Sequence, residues 1–222
     1  MQDKTSPVII DYYSDVLCVW AWIAQPRLDE LSRQWGPQVL LRHHYVDIFG
    51  DCNQKIARNW GEHDGFEKFA DHVHHSAEPF EDATVHPEIW RATRPSSSAQ
   101  AHLLLRAIGL VASEEKLAAT ALRIRRSFFC DAKDISDMDL LLQIAREEGV
   151  DHEAISHCFR KGSAMAALSS DLRAAQESGV RGSPTWILNN GRQVLYGNVG
   201  YRVLNANIEE LLKHPGDEAS WC

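Results

Sequence analysis

The chain has 222 residues, 44% of them hydrophobic, and a formal net charge of −8. That length fits one domain, or one domain carrying a large insertion, and the acidic balance speaks against nucleic-acid binding, which needs a basic face. No apolar run approaches the roughly 20 residues needed to span a bilayer, and the N-terminal segment lacks the basic start and apolar stretch of a signal peptide, so a cytoplasmic protein without membrane contacts is expected.

Val8 to Tyr13 is a short apolar, β-branched run that reads as a buried strand. A helix is predicted from about Cys18 to Trp35, because Ala24, Leu28, Leu31 and Trp35 recur on one helical face. Pro26 should kink it and Gly36-Pro37 should end it. Val39 to Val46 reads as the next strand. Strand, helix and strand in so short a span suggest a βαβ unit with parallel strands.

From about Phe66 to Glu177 the pattern is mostly helical. Stripes are formed by Phe66, Phe69, Ala70 and Val73; by Ala101, Leu104, Leu105 and Ile108, closed by Gly109; and by Leu117, Ala121, Ile124 and Phe128, entered through Ser113. Ser136 and Asp139 resemble a capping box. Further stripes follow at Ala154 to Phe159 and at Met165, Leu168, Leu172 and Ala175, with Gly179 beyond the last. Thr185 to Leu188 and Gln193 to Tyr196 then read as two strands around an Asn190-Gly191 turn. A final helix is expected over about Val203 to Leu212, followed by a frayed tail.

The five cysteines are Cys18, Cys52, Cys130, Cys158 and Cys222, none close to another. In a reducing compartment they are expected as free thiols, and no pair has zinc-site spacing. Cys18 stands apart because it opens a helix directly after a strand. Backbone N–H groups and the helix dipole favour a thiolate there and would lower the thiol pKa; the competing reading is a small, half-buried apolar residue. A second element is the run from Val180 to Thr185, where Pro184 directly precedes a strand. A cis bond there would leave the Ser183 backbone free to pair with an extended ligand; otherwise the proline merely starts the strand.

Together these elements form the thioredoxin pattern. The segment from Ser14 to Trp22 resembles the active-site segment of DsbA-family proteins of the FrnE type, and is similar to that of 2-hydroxychromene-2-carboxylate isomerases and kappa-class glutathione transferases. Gly179 to Thr185 resembles their cis-proline loop, and Asp134 to Asp137 and Pro95 to His102 resemble landmarks of their helical insert. The resemblance covers roughly Val8 to Leu212. It implies an α/β thioredoxin-like fold (βαβ…ββα) with a large all-helical, DsbA-like insertion. The thioredoxin-like domain would comprise residues 1–58 and 179–222, and the insertion residues 59–178. A homodimer is implied by the same resemblance.

One departure bears on chemistry. FrnE-like oxidoreductases carry Cys-x-x-Cys, whereas this chain has Cys18-Val19-Trp20-Ala21. Either Cys52 or Cys222 resolves Cys18, or an external thiol does, or the thiol serves no redox role. The leading expectation is a thiol–disulfide oxidoreductase with Cys18 as its single nucleophile and glutathione as co-substrate, acting on small or protein thiols. Trp20, Ser183, Pro184 and Asn198 are the expected substrate-binding residues. The alternative is a glutathione transferase or isomerase, in which Cys18 stands where the relatives' serine donates a hydrogen bond to the glutathione thiolate; a non-catalytic binding or chaperone-like protein is a third. No metal is expected: His72 and His75 share a helix face, but no third ligand follows from spacing, and a solvated face is the preferred reading. His43 and His44 alternate on the second strand, so only one can face the core. Arg123, Arg125 and Arg126 read as the exposed edge of an amphipathic helix, with an anionic ligand as the alternative.

Overall fold

The computed structural model describes residues 6–216. Strand β1 (Val8–Ser14) leads into helix α1 (Val19–Ile23), and α2 (Gln25–Trp35) follows after the single residue Ala24. Pro26 stands in the first turn of α2, where its missing N–H is not needed. The expected kinked helix is therefore two helices. Strand β2 (Val39–Tyr45) then pairs parallel with β1. After helices α3 to α9, strands β3 (Thr185–Leu188) and β4 (Gln193–Tyr196) and helix α10 (Tyr201–Lys213) complete the chain. The sheet order is β2-β1-β3-β4, with β3 antiparallel to β1 and to β4. Asn189, Asn190 and Gly191 take positive φ in the β3–β4 turn, as a tight hairpin requires.

The helical run comprises α3 (Cys52–Trp60), α4 (Gly65–Ala77), α5 (Ala99–Val111), α6 (Glu114–Phe129), α7 (Met138–Glu147), α8 (His152–Lys161) and α9 (Ser163–Glu177). Three details differ from the sequence reading. Helix α3 carries only two buried side chains, Cys52 and Ile56, too few to mark a stripe. Gly109 lies inside α5 rather than at its end. Asp137, not Ser136, caps α7, accepting from Asp139 N, while Ser136 donates to Asp134.

Apolar packing explains where the site lies. One sheet face, through Val8, Ile10, Tyr12, Trp186 and Leu188, packs on Leu28 and Leu31 of α2 and on Leu204, Ile208 and Leu211 of α10. The other face meets α9 through Tyr13, Ile187 and Ala175. The helical block has a larger core of its own, including Phe69, Trp90, Leu104, Leu105, Ile124 and Phe128, and this core runs without a break into Val16 to Ile23. The loop that carries Cys18 is thus held where the C-terminal end of β1 enters the helical block.

Candidate active site

Cys18 is the N-cap residue of α1, with extended backbone, and is 7% exposed. Its Sγ donates to the carbonyl oxygen of Ser183, 3.1 Å away. The Ser183 hydroxyl in turn accepts from the backbone N–H of Asp15 at 2.9 Å. Two loops far apart in the chain are stitched together at the sulfur. The Ser183–Pro184 peptide is cis. Pro184 is buried, and its carbonyl accepts from Gly197 N at 2.8 Å, which joins this loop to the end of β4.

Burial pushes the Cys18 thiol above the ordinary cysteine range, the Ser183 hydroxyl beside the sulfur opposes that, and the nearby Asp15 charge adds to it. This corrects the expectation of an acidic thiol. The helix that Cys18 opens is five residues long, and desolvation outweighs what its first turn offers. In the free protein Cys18 is a protonated donor.

Beside this pair lies a cleft of ≈ 320 Å³ lined by Trp20, Ser183, Tyr196, Gly197 and Asn198. Trp20, Ser183 and Asn198 were singled out from the sequence and come together here; Pro184 lies beneath and is not part of the lining. Tyr196 is 62% exposed and forms a wall that sequence reasoning missed. Gly182 explains its placement: a Cβ there would lie 2.2 Å from the Tyr196 hydroxyl oxygen. Trp22 is core instead, its indole N–H donating to the Thr84 carbonyl and its ring stacked on Phe129.

Ala21, where Cys-x-x-Cys enzymes hold the second thiol, is completely buried. Cys18, Cys52, Cys130 and Cys158 are all free thiols. Cys52 is buried, donates to the Phe49 carbonyl, and is pushed up to about 12 by burial and by Asp15 and Asp51. Cys222 lies outside the described residues.

The loop from Asp15 to Cys18 owes its shape to one carboxylate. Asp15 is fully buried. Its Oδ1 accepts from Leu17 N, and its Oδ2 accepts from Ile48 N, Phe49 N and the Ser98 hydroxyl, all at 2.8–3.1 Å. His102, buried and held neutral by desolvation, accepts from Val16 N. Ser98 and His102 lie in the segment from Pro95 to His102 noted above, but their partners could not be named from the sequence.

Other expected features resolve plainly. His72 packs its ring against Trp60 at 4.9 Å, so it is not simply solvated. Among the described residues, no group of three or more His, Cys, Asp or Glu side chains is placed to hold a metal, and no helix is long and apolar enough to cross a membrane. His43 faces the core and is held neutral, its pKa lowered to about 3 by burial and by the Arg125 charge. His44 faces α9 between two carboxylates. Arg125 corrects the reading of the basic run: it is 1% exposed, not an edge residue.

A family model for the DsbA-like thioredoxin domain matches residues 9–209. The chain belongs to that family, one of oxidoreductases and isomerases. Comparison with curated proteins gives no match. Among solved structures, a putative protein disulfide isomerase from Nitrosomonas europaea superposes with a TM-score of 0.78 at 14% identity, covering 95% of this chain and 100% of that one. The cytosolic disulfide reductase DsbM from Pseudomonas aeruginosa, solved with GSH, gives 0.69 at 21% identity over 93% and 100%. A 2-hydroxychromene-2-carboxylate isomerase gives 0.65 at 17% over 92% and 96%. At these identities the likeness is one of fold.

Proposed function

We propose that this DsbA-like protein is a single-cysteine thiol–disulfide oxidoreductase with Cys18 as nucleophile and glutathione as co-substrate, working in a reducing compartment such as the cytoplasm. The observation that carries this reading is the Cys18 thiol on the Ser183 carbonyl beside a small cleft, with buried Ala21 where a second thiol would stand. The GSH-bound DsbM structure of the same fold supports it.

In the first step Cys18 loses its proton to solvent and its thiolate attacks the glutathionyl sulfur of a mixed disulfide, R–S–S–G. The S–S bond breaks, R–S⁻ leaves and takes up a proton, and Cys18 carries glutathione as a new disulfide. A glutathione thiolate then attacks the glutathionyl sulfur on Cys18, releasing oxidised glutathione and the Cys18 thiolate, which regains a proton. The net reaction reduces R–S–S–G to R–SH at the expense of one glutathione. Once the Cys18 proton has gone, the Ser183 carbonyl is free to accept from the backbone of the bound tripeptide. Trp20 and Tyr196 give the ligand apolar walls, and Asn198 offers it an exposed amide.

One observation favours a second reading. A thiol that burial keeps protonated suits a hydrogen-bond donor to a glutathione thiolate, as a transferase or isomerase needs. Turnover of a glutathionylated peptide by glutathione, measured for wild type and Cys18→Ser, separates the two. Covalent catalysis predicts a fall of about a thousandfold or more in the variant. A variant that loses less than about tenfold, or gains conjugating activity, overturns the redox reading.

A further inference from the structure

The small cleft beside Cys18 continues into a larger one. A cavity of ≈ 640 Å³ is lined by Ile23 and Arg27 from α1 and α2, by Phe80, Glu81 and Asp82 from the segment after α4, and by Tyr201 from α10. Helix geometry puts the two in series. Trp20, Ile23 and Arg27 recur at i, i+3 and i+7, and Ala24 between the helices keeps helical backbone, so the three share one face. Trp20 lines the cleft beside Cys18, while Ile23 and Arg27 line the larger cavity. Across the seam Asn198 lines the first, and Tyr201, three residues on, lines the second. From Cys18 to Arg27 the helices rise about 13 Å at ~1.5 Å per residue. An extended chain covers that distance in about four residues.

The lining indicates what such a chain would carry. Ile23 and Ala83 are buried beneath the cavity and Phe80 is half-buried at its side, which makes an apolar floor. Glu81 and Asp82 are exposed above it, and among the described residues neither carboxylate takes part in a hydrogen bond or ion pair. The other charges at the cavity are engaged. Glu30 is held by Arg33 through both oxygens. Arg27 donates from Nη1 to the Ile23 carbonyl at 2.8 Å. Arg33 and Arg126 share a neighbouring cleft with Asp82 without forming an ion pair with it. The carboxylates open to a ligand are therefore Glu81 and Asp82, and the group they suit is a cation.

We propose that this cavity holds the polypeptide half of the mixed disulfide, and that the preferred substrate is a glutathionylated protein segment with an apolar residue and then a basic one about four positions from its cysteine. This rests on the reading of Cys18 as nucleophile. Glutathione keeps the cleft at Ser183. The substrate chain lies along α1 and α2, its apolar side chain on Phe80 and its cation at Glu81 and Asp82. When the S–S bond breaks, the substrate cysteine leaves as a thiolate, takes up a proton and departs with that chain.

The test uses two glutathionylated peptides that differ only at the third to fifth positions on either side of the cysteine, lysine in one and glutamate in the other. At low salt kcat/KM for the lysine peptide should be higher by about five- to tenfold. About 0.5 M sodium chloride should bring the ratio below about twofold. Glu81→Gln combined with Asp82→Asn should do the same, and because the readout is a ratio within one protein, a loss of folded enzyme does not mimic it. Equal kcat/KM for the two peptides in wild type, or a preference that survives in the double variant, overturns the proposal. Two controls separate this from the chemistry at Cys18. Glutathionylated cysteamine is too short to enter the cavity; if it turns over while the two peptides do not differ, the cavity assignment fails and the thiol chemistry stands. Calorimetry of Cys18→Ser with the same peptides carrying serine for cysteine reads binding alone. A lysine peptide that binds more tightly than the glutamate one there, without turnover of any substrate by wild type, leaves the cavity its ligand and overturns the chemistry.

Discussion

The Cys18 sulfur and the Ser183 carbonyl oxygen lie 3.1 Å apart although 165 residues separate them in the chain. That contact joins the two segments on which the chemistry rests. Burial raises the thiol above the ordinary range, so its reactivity without ligand should be low at neutral pH. Alkylation of Cys18 by iodoacetamide, followed by peptide mass mapping, should be at least about tenfold slower at pH 8 than that of a free cysteine, and should still be rising above pH 9. A reaction that levels off below pH 7 would mean an acidic thiol.

Asp15→Asn tests what shapes the loop. The carboxylate accepts from three backbone N–H groups and one hydroxyl. An amide keeps one oxygen and turns an NH2 group toward donors on its other side. The loss should be about 2–4 kcal/mol of unfolding free energy in urea, with turnover reduced in the folded fraction because Cys18 is no longer held on Ser183. A variant as stable as wild type would contradict this role.

His44 links the sheet to the helical block. Its Nε2 meets Asp11 of β1 and its Nδ1 meets Asp171 of α9, both at 2.9 Å, and its ring stacks on Tyr13. Burial alone would lower its pKa, but the two carboxylates override burial and raise it to about 9, from an ordinary 6.5. The charged form is therefore favoured by folding. The contribution, on the order of 3 kcal/mol, is fully present below pH 6.5 and is lost as pH rises through about 9. Urea unfolding of wild type should weaken between pH 7 and pH 10, and His44→Gln should be destabilised at pH 6 with a flatter profile. Parallel profiles for the two proteins would rule out the clasp.

Gly182 sets the position of Tyr196. A methyl group there meets the phenol hydroxyl, and the exposed ring can swing away. Gly182→Ala should shift Tm by less than about 2 °C, because the ring moves into solvent rather than into the core. It should raise KM for the glutathionylated substrate about three- to tenfold with little change in kcat, since only ground-state binding is disturbed. A change confined to kcat would place Tyr196 in the chemical step instead.

How much of this was legible beforehand follows from what each feature depends on. The four strands, the hairpin at Asn190-Gly191 and the position of Cys18 depend on local pattern, and strands β3 and β4 fall at the residues expected. Ser183 was read from the proline that precedes a strand, Trp20 and Asn198 were named through resemblance, and the fold brings the three to one cleft. What was missed depends on contacts between distant segments. Ser98 meets Asp15 across 83 residues, and His102 meets Val16 across 86; no spacing rule links such pairs. The raised thiol of Cys18 has the same origin, since a helix start can be read from a sequence but the atoms that cover it cannot. Arg125 was misread because its neighbours Arg123 and Arg126 suggest a solvated edge, while the helix turns Arg125 inward toward Ser14.

The central claim is that one cysteine suffices, and the most direct measurement is intact mass during turnover. Wild type mixed with a glutathionylated peptide should gain a single glutathione adduct on Cys18 that disappears when glutathione is added. Cys18→Ser should gain none. Ala21→Cys, which restores a second thiol one helical turn away, should replace the adduct by an internal disulfide and release free glutathione. A wild type that turns over substrate without ever carrying glutathione on Cys18, or a Cys18→Ser variant that turns over equally well, would contradict the account.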